Sequence, residues 1–143
     1  MRYWDASAVV PLVVEEPSSA VVREWLREDG HMVTWALTRL ELASAVERRA
    51  RQGVLSADSR REVLARFTKL AQHWDEVTDI VAVVRLGLPL LSRHSLRAAD
   101  AAQLASALLL GEGDPASVYF VCLDQRLAET AEREGLSVVT WSA

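Results

Sequence analysis

Four acidic residues, Asp5, Glu41, Asp100 and Asp124, follow predicted strands or lie at the start of predicted helices. Asp5 comes directly after a short aromatic run at the N-terminus, and Asp124 follows the most β-prone run of the chain. In open α/β sheets, ligands bind at the carboxyl ends of the strands. We therefore expect the four carboxylates to meet at one edge of one sheet.

A cluster of four carboxylates favours a hard metal ion. Neighbouring like charges repel, so some of the acids would stay protonated unless a cation neutralised them. The ligands would all be oxygen atoms, and no His or Cys stands at ligand spacing, which favours Mg²⁺ or Mn²⁺ over Zn²⁺. We interpret His31 and His73 as structural. A hard ion of this kind activates water and offsets charge in phosphoryl chemistry.

The surroundings of Asp100 lead to the same expectation. It stands near the start of residues 96–110, which are almost all Ala or Leu and have no clearly polar face. Such a stretch predicts a helix packed on several sides in the interior. A buried carboxylate must be paired, metal-bound or protonated, because an isolated buried charge costs several kcal/mol or more.

Each acid also has an explanation that involves no activity. Asp5 and Asp124 could be N-caps of the helices that follow them, and Asp100 could complement a helix dipole. Glu41 completes a Thr-x-x-Glu capping box with Thr38. Taken singly, capping is the simpler interpretation for three of them; taken together, their convergence on one edge favours a cation site.

Strands and helices alternate along the chain. Strands are predicted at residues 2–5, 31–34, 76–79, 118–122 and 137–140. Helices are predicted at residues 8–14, 18–29, 38–52, 56–74, 80–88, 96–110 and 124–134, with Pro11 in the first turn of its helix and Pro89 ending another. This order predicts a single α/β domain over residues 1–143, a three-layer α/β/α sandwich with a mainly parallel central sheet.

Composition excludes some classes of protein and leaves others open. The formal net charge is −4, but without the four acids the chain has 16 acidic and 16 basic residues, so a nucleic-acid substrate is not excluded. Cys122 is the only cysteine, which fits a cytoplasmic setting, and no signal peptide or membrane-spanning run is predicted. Residues 39–69 are net basic, which suits either a solvated helical face or a phosphate-contacting surface.

Four motifs resemble those of the PIN-domain family, in the family's order. They are Asp5-Ala6-Ser7-Ala8-Val9-Val10, Glu41-Leu42-Ala43-Ser44-Ala45, the stretch from Leu96 to Ala107 around Asp100, and Val121-Cys122-Leu123-Asp124-Gln125-Arg126-Leu127-Ala128. The third is the most specific match, and together they span the chain. The compact size is similar to that of VapC-type toxins of bacterial toxin–antitoxin pairs.

The resemblance implies a Mg²⁺- or Mn²⁺-dependent endoribonuclease whose products carry a 3′-hydroxyl and a 5′-phosphate. Asp5, Glu41, Asp100 and Asp124 would hold the metal and orient the attacking water, and Ser7 would support Asp5. A cognate antitoxin would block the site, and a homodimer is expected. Two positions depart from the family pattern: Cys122 stands where Thr is frequent, giving weaker hydrogen-bond support, and Gln103 stands where His is common.

Basic residues near the acids are candidates for binding RNA phosphates. Arg97 and Arg126 lie close in sequence to Asp100 and Asp124, so they could contact phosphate or form ion pairs with those acids. More distant phosphates could be bound by Arg48, Arg49 and Arg51.

Three other interpretations remain open from sequence. A receiver-type signalling domain also gathers acids around Mg²⁺, but it is expected to carry a Lys after its last strand, and the only Lys here is Lys69. A phosphatase with an Asp nucleophile usually has a second Asp two residues on, where this chain has Ser7. A partner-binding module without catalysis is the third.

Overall fold

A five-stranded, fully parallel sheet forms the centre of the computed structural model, which describes residues 1–142. The strands are β1 (Arg2–Trp4), β2 (Met32–Trp35), β3 (Asp75–Val77), β4 (Tyr119–Val121) and β5 (Ser137–Val139). Their order across the sheet is β3-β2-β1-β4-β5. In chain order, β2 and β3 extend the sheet on one side of β1, and β4 and β5 then extend it on the other side. The boundary between β1 and β4 is therefore the topological switch point.

Helices cover both faces of this sheet, as the sequence predicts. They are α1 (Ala6–Val13), α2 (Ser19–Glu28), α3 (Thr38–Arg51), α4 (Ala57–Ala71), α5 (Ile80–Arg93), α6 (Ala98–Leu110) and α7 (Gln125–Arg133). The first four pack against one face and the last three against the other. This arrangement confirms the three-layer α/β/α sandwich. No helix within residues 1–142 combines the length and apolarity needed to cross a membrane.

The alternation of side chains along β1 creates the two cores. Tyr3 and Trp4 are adjacent and both fully buried, yet they belong to different apolar clusters because successive side chains of a strand point to opposite faces. Tyr3 stacks on Phe120 of β4 in the cluster under α5, α6 and α7. Strands β1 and β2 are short, but their side chains are mostly buried.

Two prolines lie inside helices, contrary to the sequence prediction. Helix α5 continues through Pro89 to Arg93, and α1 contains Pro11 in its second half. Pro89 is on the exposed side of α5, so the Arg85 carbonyl that loses its helical partner is also on a solvent-exposed residue. The opposite side of α5 packs closely on α6, where a Cβ at Gly87 would lie 3.7 Å from that of Ala105. Packing of this kind maintains the helix despite the lost hydrogen bond.

Helix α6 begins two residues later than predicted and is less enclosed at its start. Ala98 and Ala99 are exposed, whereas the segment from Ala101 to Ala107 is buried apart from Ala102. Asp100 lies at the boundary between these two environments. The helix therefore enters the core at its middle and presents its first turn at the edge of the sheet.

Candidate active site

A cavity of about 850 Å³ opens at the carboxyl edge of the central strands. Its polar and charged lining consists of Ser7, Glu41, Ser44, Arg48, Ser95, Arg97, Asp100, Asp124 and Arg126. Three of the four predicted acids therefore form its wall. Asp5, which is only 4% exposed, lies behind the wall next to Ser7. The structure brings all four into one neighbourhood at the switch point between β1 and β4.

Asp5 is both a helix cap and a member of the acidic cluster. Its Oδ2 accepts hydrogen bonds from the Ser7 backbone N–H at 3.0 Å and the Ser7 hydroxyl at 2.5 Å. Burial raises the pKa of Asp5 against these stabilising bonds, and the negative charge of Asp100 raises it further. The two sequence interpretations of Asp5 are thus compatible, since the cap geometry aims the carboxylate at the sheet edge.

Ser7 and Cys122 surround the Asp5 carboxylate as predicted. The Ser7 Oγ also accepts the Leu123 backbone N–H at 3.0 Å, which ties the start of α1 to the segment after β4. The Cys122 sulfur lies 3.7 Å from Asp5 Oδ2 and 3.3 Å from the Asp124 carbonyl oxygen. A thiol is a weak donor, so Ser7 provides most of the support. Burial raises the pKa of Cys122, which keeps the thiol neutral.

Glu41 does not form the predicted capping box. Leu37 occupies the N-cap position of α3, and the Thr38 hydroxyl faces the Trp35 N–H and Gln103 instead of the backbone of Glu41. The Oε1 of Glu41 accepts a 3.0 Å hydrogen bond from Gln103 Nε2. Burial, helped by the charges of Asp5 and Asp100, raises the pKa of Glu41 to about 7. The carboxylate is therefore costly to ionise in the folded protein.

Asp100 and Asp124 complete the acidic wall from the other side. Burial raises the pKa of Asp100, and the charge of Asp124 raises it further, whereas neighbouring Arg97 lowers it. Asp124 is exposed and caps α7, with Oδ1 accepting the backbone N–H groups of Arg126 and Leu127. The capping role predicted for Asp124 is confirmed, and its position on the cavity wall is compatible with it.

The donor chemistry of the cluster fits Mg²⁺ or Mn²⁺ better than an ion that needs a complete protein cage. Within residues 1–142, no three His, Cys, Asp or Glu side chains are close enough to enclose one ion together. Mg²⁺ is commonly held by one or two carboxylates while it keeps several waters and takes substrate phosphate oxygens. Glu41, Asp100 and Asp124 line the polar cavity, so oxygen donors of this type are available there.

The predicted phosphate-binding arginines divide into two groups. Arg48, Arg97 and Arg126 are exposed, line the cavity, and take part in no salt bridge within the described chain. The ion pairs considered for Arg97 and Arg126 therefore do not form. Arg49 is bound to Glu16 at 2.6 Å, and Arg51 is exposed outside the cavity.

Most basic residues of the segment 39–69 form salt bridges with acidic residues. Arg39 binds Glu76, Arg60 binds Glu47, and further pairs link Arg61 to Asp58 and Arg66 to Glu62. The solvated-face interpretation of this segment is thus the better one, and Arg48 is its contribution to the cavity.

The sequence alone did not indicate the structural role of Gln103. It is fully buried in α6 and joins Tyr3, Thr38 and Glu41 through three hydrogen bonds. The available signal was a lone amide three residues after Asp100 in an otherwise Ala- and Leu-rich helix. A buried amide with four hydrogen-bonding positions needs partners, and these partners come from distant parts of the chain.

An apolar groove of about 500 Å³ adjoins the acidic cavity. We call it the α5 groove; its large exposed members are Leu37, Leu40, Ile80, Val84, Leu88 and Leu91. Leu40, Glu41 and Ala99 line both the groove and the cavity. The groove thus places exposed apolar side chains directly beside the acidic cavity.

The model of the PIN domain matches residues 2–133. The chain belongs to the PIN-domain family. It is also 32% identical, over 138 residues, to Ribonuclease VapC46 of Mycobacterium tuberculosis, a match covering 96% of this chain and 95% of that protein. The motifs that resemble those of PIN domains therefore occur in a chain that matches the PIN-domain model.

Solved structures agree with the PIN assignment at the level of the fold. FitAcB from Neisseria gonorrhoeae superposes with a TM-score of 0.69 at 18% identity, covering 96% of each chain. VapBC-5 from Mycobacterium tuberculosis, a member of the VapBC family of toxin–antitoxin systems, gives a TM-score of 0.59 at 17% identity and covers 99% of this chain and 97% of that one.

Proposed function

We propose that this PIN domain is a Mg²⁺- or Mn²⁺-dependent endoribonuclease that acts in the cytoplasm as the toxin of a toxin–antitoxin pair. The observation that carries the proposal is the convergence of Asp5, Glu41, Asp100 and Asp124 on one cavity that unpaired arginines also line. The similarity to Ribonuclease VapC46 over almost the whole chain supports the ribonuclease assignment.

One group of residues would bind the metal ion and another would bind the RNA. A bound divalent ion would stabilise charge on the scissile phosphate and lower the pKa of a coordinated water. One or two of the carboxylates of Asp5, Glu41, Asp100 and Asp124 would hold this ion directly, and Ser7 would fix the orientation of Asp5. Arg48, Arg97 and Arg126 would bind backbone phosphates, since all three line the cavity and none forms a salt bridge within the described residues.

The overall reaction is hydrolysis of a phosphodiester bond. Water oxygen bonds to phosphorus as the bond to the 3′ oxygen breaks, which gives a 3′-hydroxyl and a 5′-phosphate. Because the cavity opens at the sheet edge rather than inside the core, a single-stranded or looped RNA can enter it. The choice of RNA would depend on the surfaces around the cavity.

Cleavage-site mapping on total RNA tests this function. The wild-type protein with Mn²⁺ should produce discrete cuts that EDTA abolishes and added Mn²⁺ restores. The D100N variant should be inactive, whereas D114N should match the wild type because Asp114 precedes β4 and so lies at the opposite edge of the sheet. Binding of Mn²⁺ without RNA cleavage would instead favour a signalling or partner-binding module.

The α5 groove supports the antitoxin part of the proposal. A protein that neutralises the toxin must cover the acidic cavity, and the groove shares Glu41 with that cavity. An antitoxin segment with apolar side chains for the groove and a basic side chain for the carboxylates would complement both. A small protein encoded by a gene directly beside this one would be the candidate partner to purify with it.

Charge insertion in the α5 groove tests that interface. The L88E variant should lose the antitoxin complex while the free protein keeps its nuclease activity, because Leu88 lines the groove but not the cavity. V54E is the matched control, since Val54 is equally exposed but lies in neither surface. We also propose a homodimer, which sedimentation velocity of the free protein would test; a monomer throughout the micromolar range would contradict it.

A further inference from the structure

Gln103 lies at the centre of a buried hydrogen-bond network that ends on Glu41. Its side chain is fully buried, and its Nε2 is 3.0 Å from Glu41 Oε1 and 3.1 Å from Thr38 Oγ1. The Tyr3 hydroxyl lies 2.5 Å from Gln103 Oε1. Three elements, β1, α3 and α6, therefore meet at a single amide.

Only one orientation of the amide satisfies this network. With Nε2 toward α3, its two N–H groups serve Glu41 and Thr38, and Oε1 accepts the Tyr3 O–H. A flipped amide would place Oε1 against the carboxylate of Glu41, and two acceptors would then face each other. Tyr3 is held against Phe120 by ring stacking, so the anchor of the amide is itself fixed by the sheet.

We propose that Gln103 is a positioning residue that fixes the Glu41 carboxylate at the mouth of the acidic cavity, with Tyr3 fixing Gln103 in turn. This inference rests on the proposed function, because it assigns Glu41 a role in holding the divalent ion. Gln103 is fully buried and does not line the cavity, so it would act through Glu41. The amide of Gln103 holds the Oε1 of Glu41, and Glu41 itself lines the cavity.

The expected consequence is a loss of metal affinity without loss of fold. Residues that orient a metal-binding side chain typically contribute about 10- to 100-fold in metal affinity or activity. Q103M keeps nearly the same side-chain volume but has no N–H groups, so Mn²⁺ affinity and kcat should fall by about that factor. Y3F leaves the amide in place but removes its anchor, and we expect a smaller loss in the same direction.

A histidine at this position provides the conservative test. One ring N–H of Q103H can donate to Glu41 while the other nitrogen accepts the Tyr3 O–H, and only the Thr38 contact is lost. Q103H should therefore recover most of the Mn²⁺ affinity that Q103M loses. S19A is the structural control: Ser19 is also fully buried and makes three hydrogen bonds, but around the distal end of α1.

Calorimetric titration with Mn²⁺ in single and double variants decides whether Gln103 acts through Glu41. If it does, Q103M should weaken Mn²⁺ binding in the wild-type background but not in the E41A background, because the group it positions is already absent. S19A should lower the unfolding temperature and leave Mn²⁺ affinity unchanged.

Different outcomes separate this inference from the proposed function. Equal losses from Q103M in both backgrounds, or wild-type Mn²⁺ affinity in folded Q103M and Y3F, would overturn the positioning role while leaving the nuclease intact. If the wild-type protein itself neither binds Mn²⁺ nor cuts RNA, the proposed function fails and the role of Gln103 fails with it.

Discussion

The Ser7 hydroxyl donates a 2.5 Å hydrogen bond to Oδ2 of Asp5 and accepts the Leu123 backbone N–H at 3.0 Å. One hydroxyl thus connects the carboxylate at the end of β1 to the chain that leaves β4. These two strands flank the topological switch point, where α/β proteins bind their ligands. Ser7 fixes the position of the most buried acid in the cluster relative to Asp124, which follows Leu123 directly.

Replacing Ser7 by Ala should therefore affect both stability and activity. S7A leaves the buried Asp5 with fewer donors and the Leu123 N–H without its partner, which should lower the free energy of unfolding by about 1–3 kcal/mol. RNA cleavage should fall by about tenfold or more, because Asp5 loses its orientation. Urea unfolding and initial cleavage rates measure the two effects.

Cys122 provides the comparison for that experiment. Its sulfur contacts the same Asp5 oxygen at 3.7 Å, and a thiol donates weakly. C122A should cost much less activity than S7A. Activity losses of equal size in the two variants would contradict the assignment of Ser7 as the main support of Asp5.

Replacing Asp5 by Asn should lower RNA cleavage without lowering the stability of the fold. Burial raises the pKa of Asp5, so its charged form is disfavoured in the folded protein. In D5N, the amide oxygen can still accept the Ser7 bonds that cap α1, and no buried charge remains. At pH 8 in EDTA, D5N should be at least as stable as the wild type, while Mn²⁺-dependent cleavage falls by at least about a hundredfold.

Thermal unfolding and cleavage assays on the same D5N preparation check both parts. A stable variant that cleaves RNA at the wild-type rate would remove Asp5 from the proposed site. A strongly destabilised variant would mean that the charge of Asp5, rather than its acceptor geometry, stabilises the start of α1.

Without added metal, the protein should lose stability as the pH rises from about 5 to about 8. Glu41 has a folded-state pKa of about 7, against an ordinary value of 4.5. Between these values the folded protein binds more protons than the unfolded chain, so raising the pH favours unfolding. The pKa values of Asp5 and Asp100 are also raised, so their ionisation acts in the same direction.

Urea unfolding in EDTA across this pH range measures the effect. E41Q retains the acceptor for Gln103 but cannot ionise, so its stability should depend less on pH than that of the wild type. A wild-type stability that rises steadily from pH 5 to pH 8 would contradict the raised pKa values.

The fold was predictable because its local signals agree with its tertiary structure. Strands such as β4 are apolar on both faces, and helices such as α7 begin at an Asp that caps them in the structure. Pro89 was misinterpreted because its effect on α5 depends on which side of the helix it lies, and that side is set by the packing on α6. Local propensity alone does not contain that information.

The candidate site was predictable in its acids but not in the contacts that hold them. Asp5 and Asp124 were identified because each follows a strand, a property of local sequence. The pairing of Glu41 with Gln103 joins residues 62 positions apart, so the nearby Thr38 suggested a capping box that does not form. The salt bridge between Arg49 and Glu16 could not be predicted either, because these two residues are also far apart in the sequence.

The three unpaired arginines of the cavity should contribute separately to RNA affinity. Each of Arg48, Arg97 and Arg126 is exposed on the cavity lining, so each can neutralise one phosphate. Replacing any one by Ala in the inactive D100N background should weaken binding of a short single-stranded RNA. It should also reduce the slope of log affinity against log salt by about 0.7, the counterion release expected for one phosphate contact on a single strand. Fluorescence anisotropy at several salt concentrations measures both quantities.

Arg49 provides the matched control for the arginine series. It lies on the same helix as Arg48 but binds Glu16 at 2.6 Å, so R49A should remove an ion pair and leave RNA affinity and its salt slope nearly unchanged. Both substitutions remove one positive charge from the same helix, so a loss of RNA affinity in R48A but not in R49A assigns the phosphate contact to Arg48. If both reduce the slope equally, RNA follows the whole basic face of α3, and the cavity is not the main phosphate-binding surface.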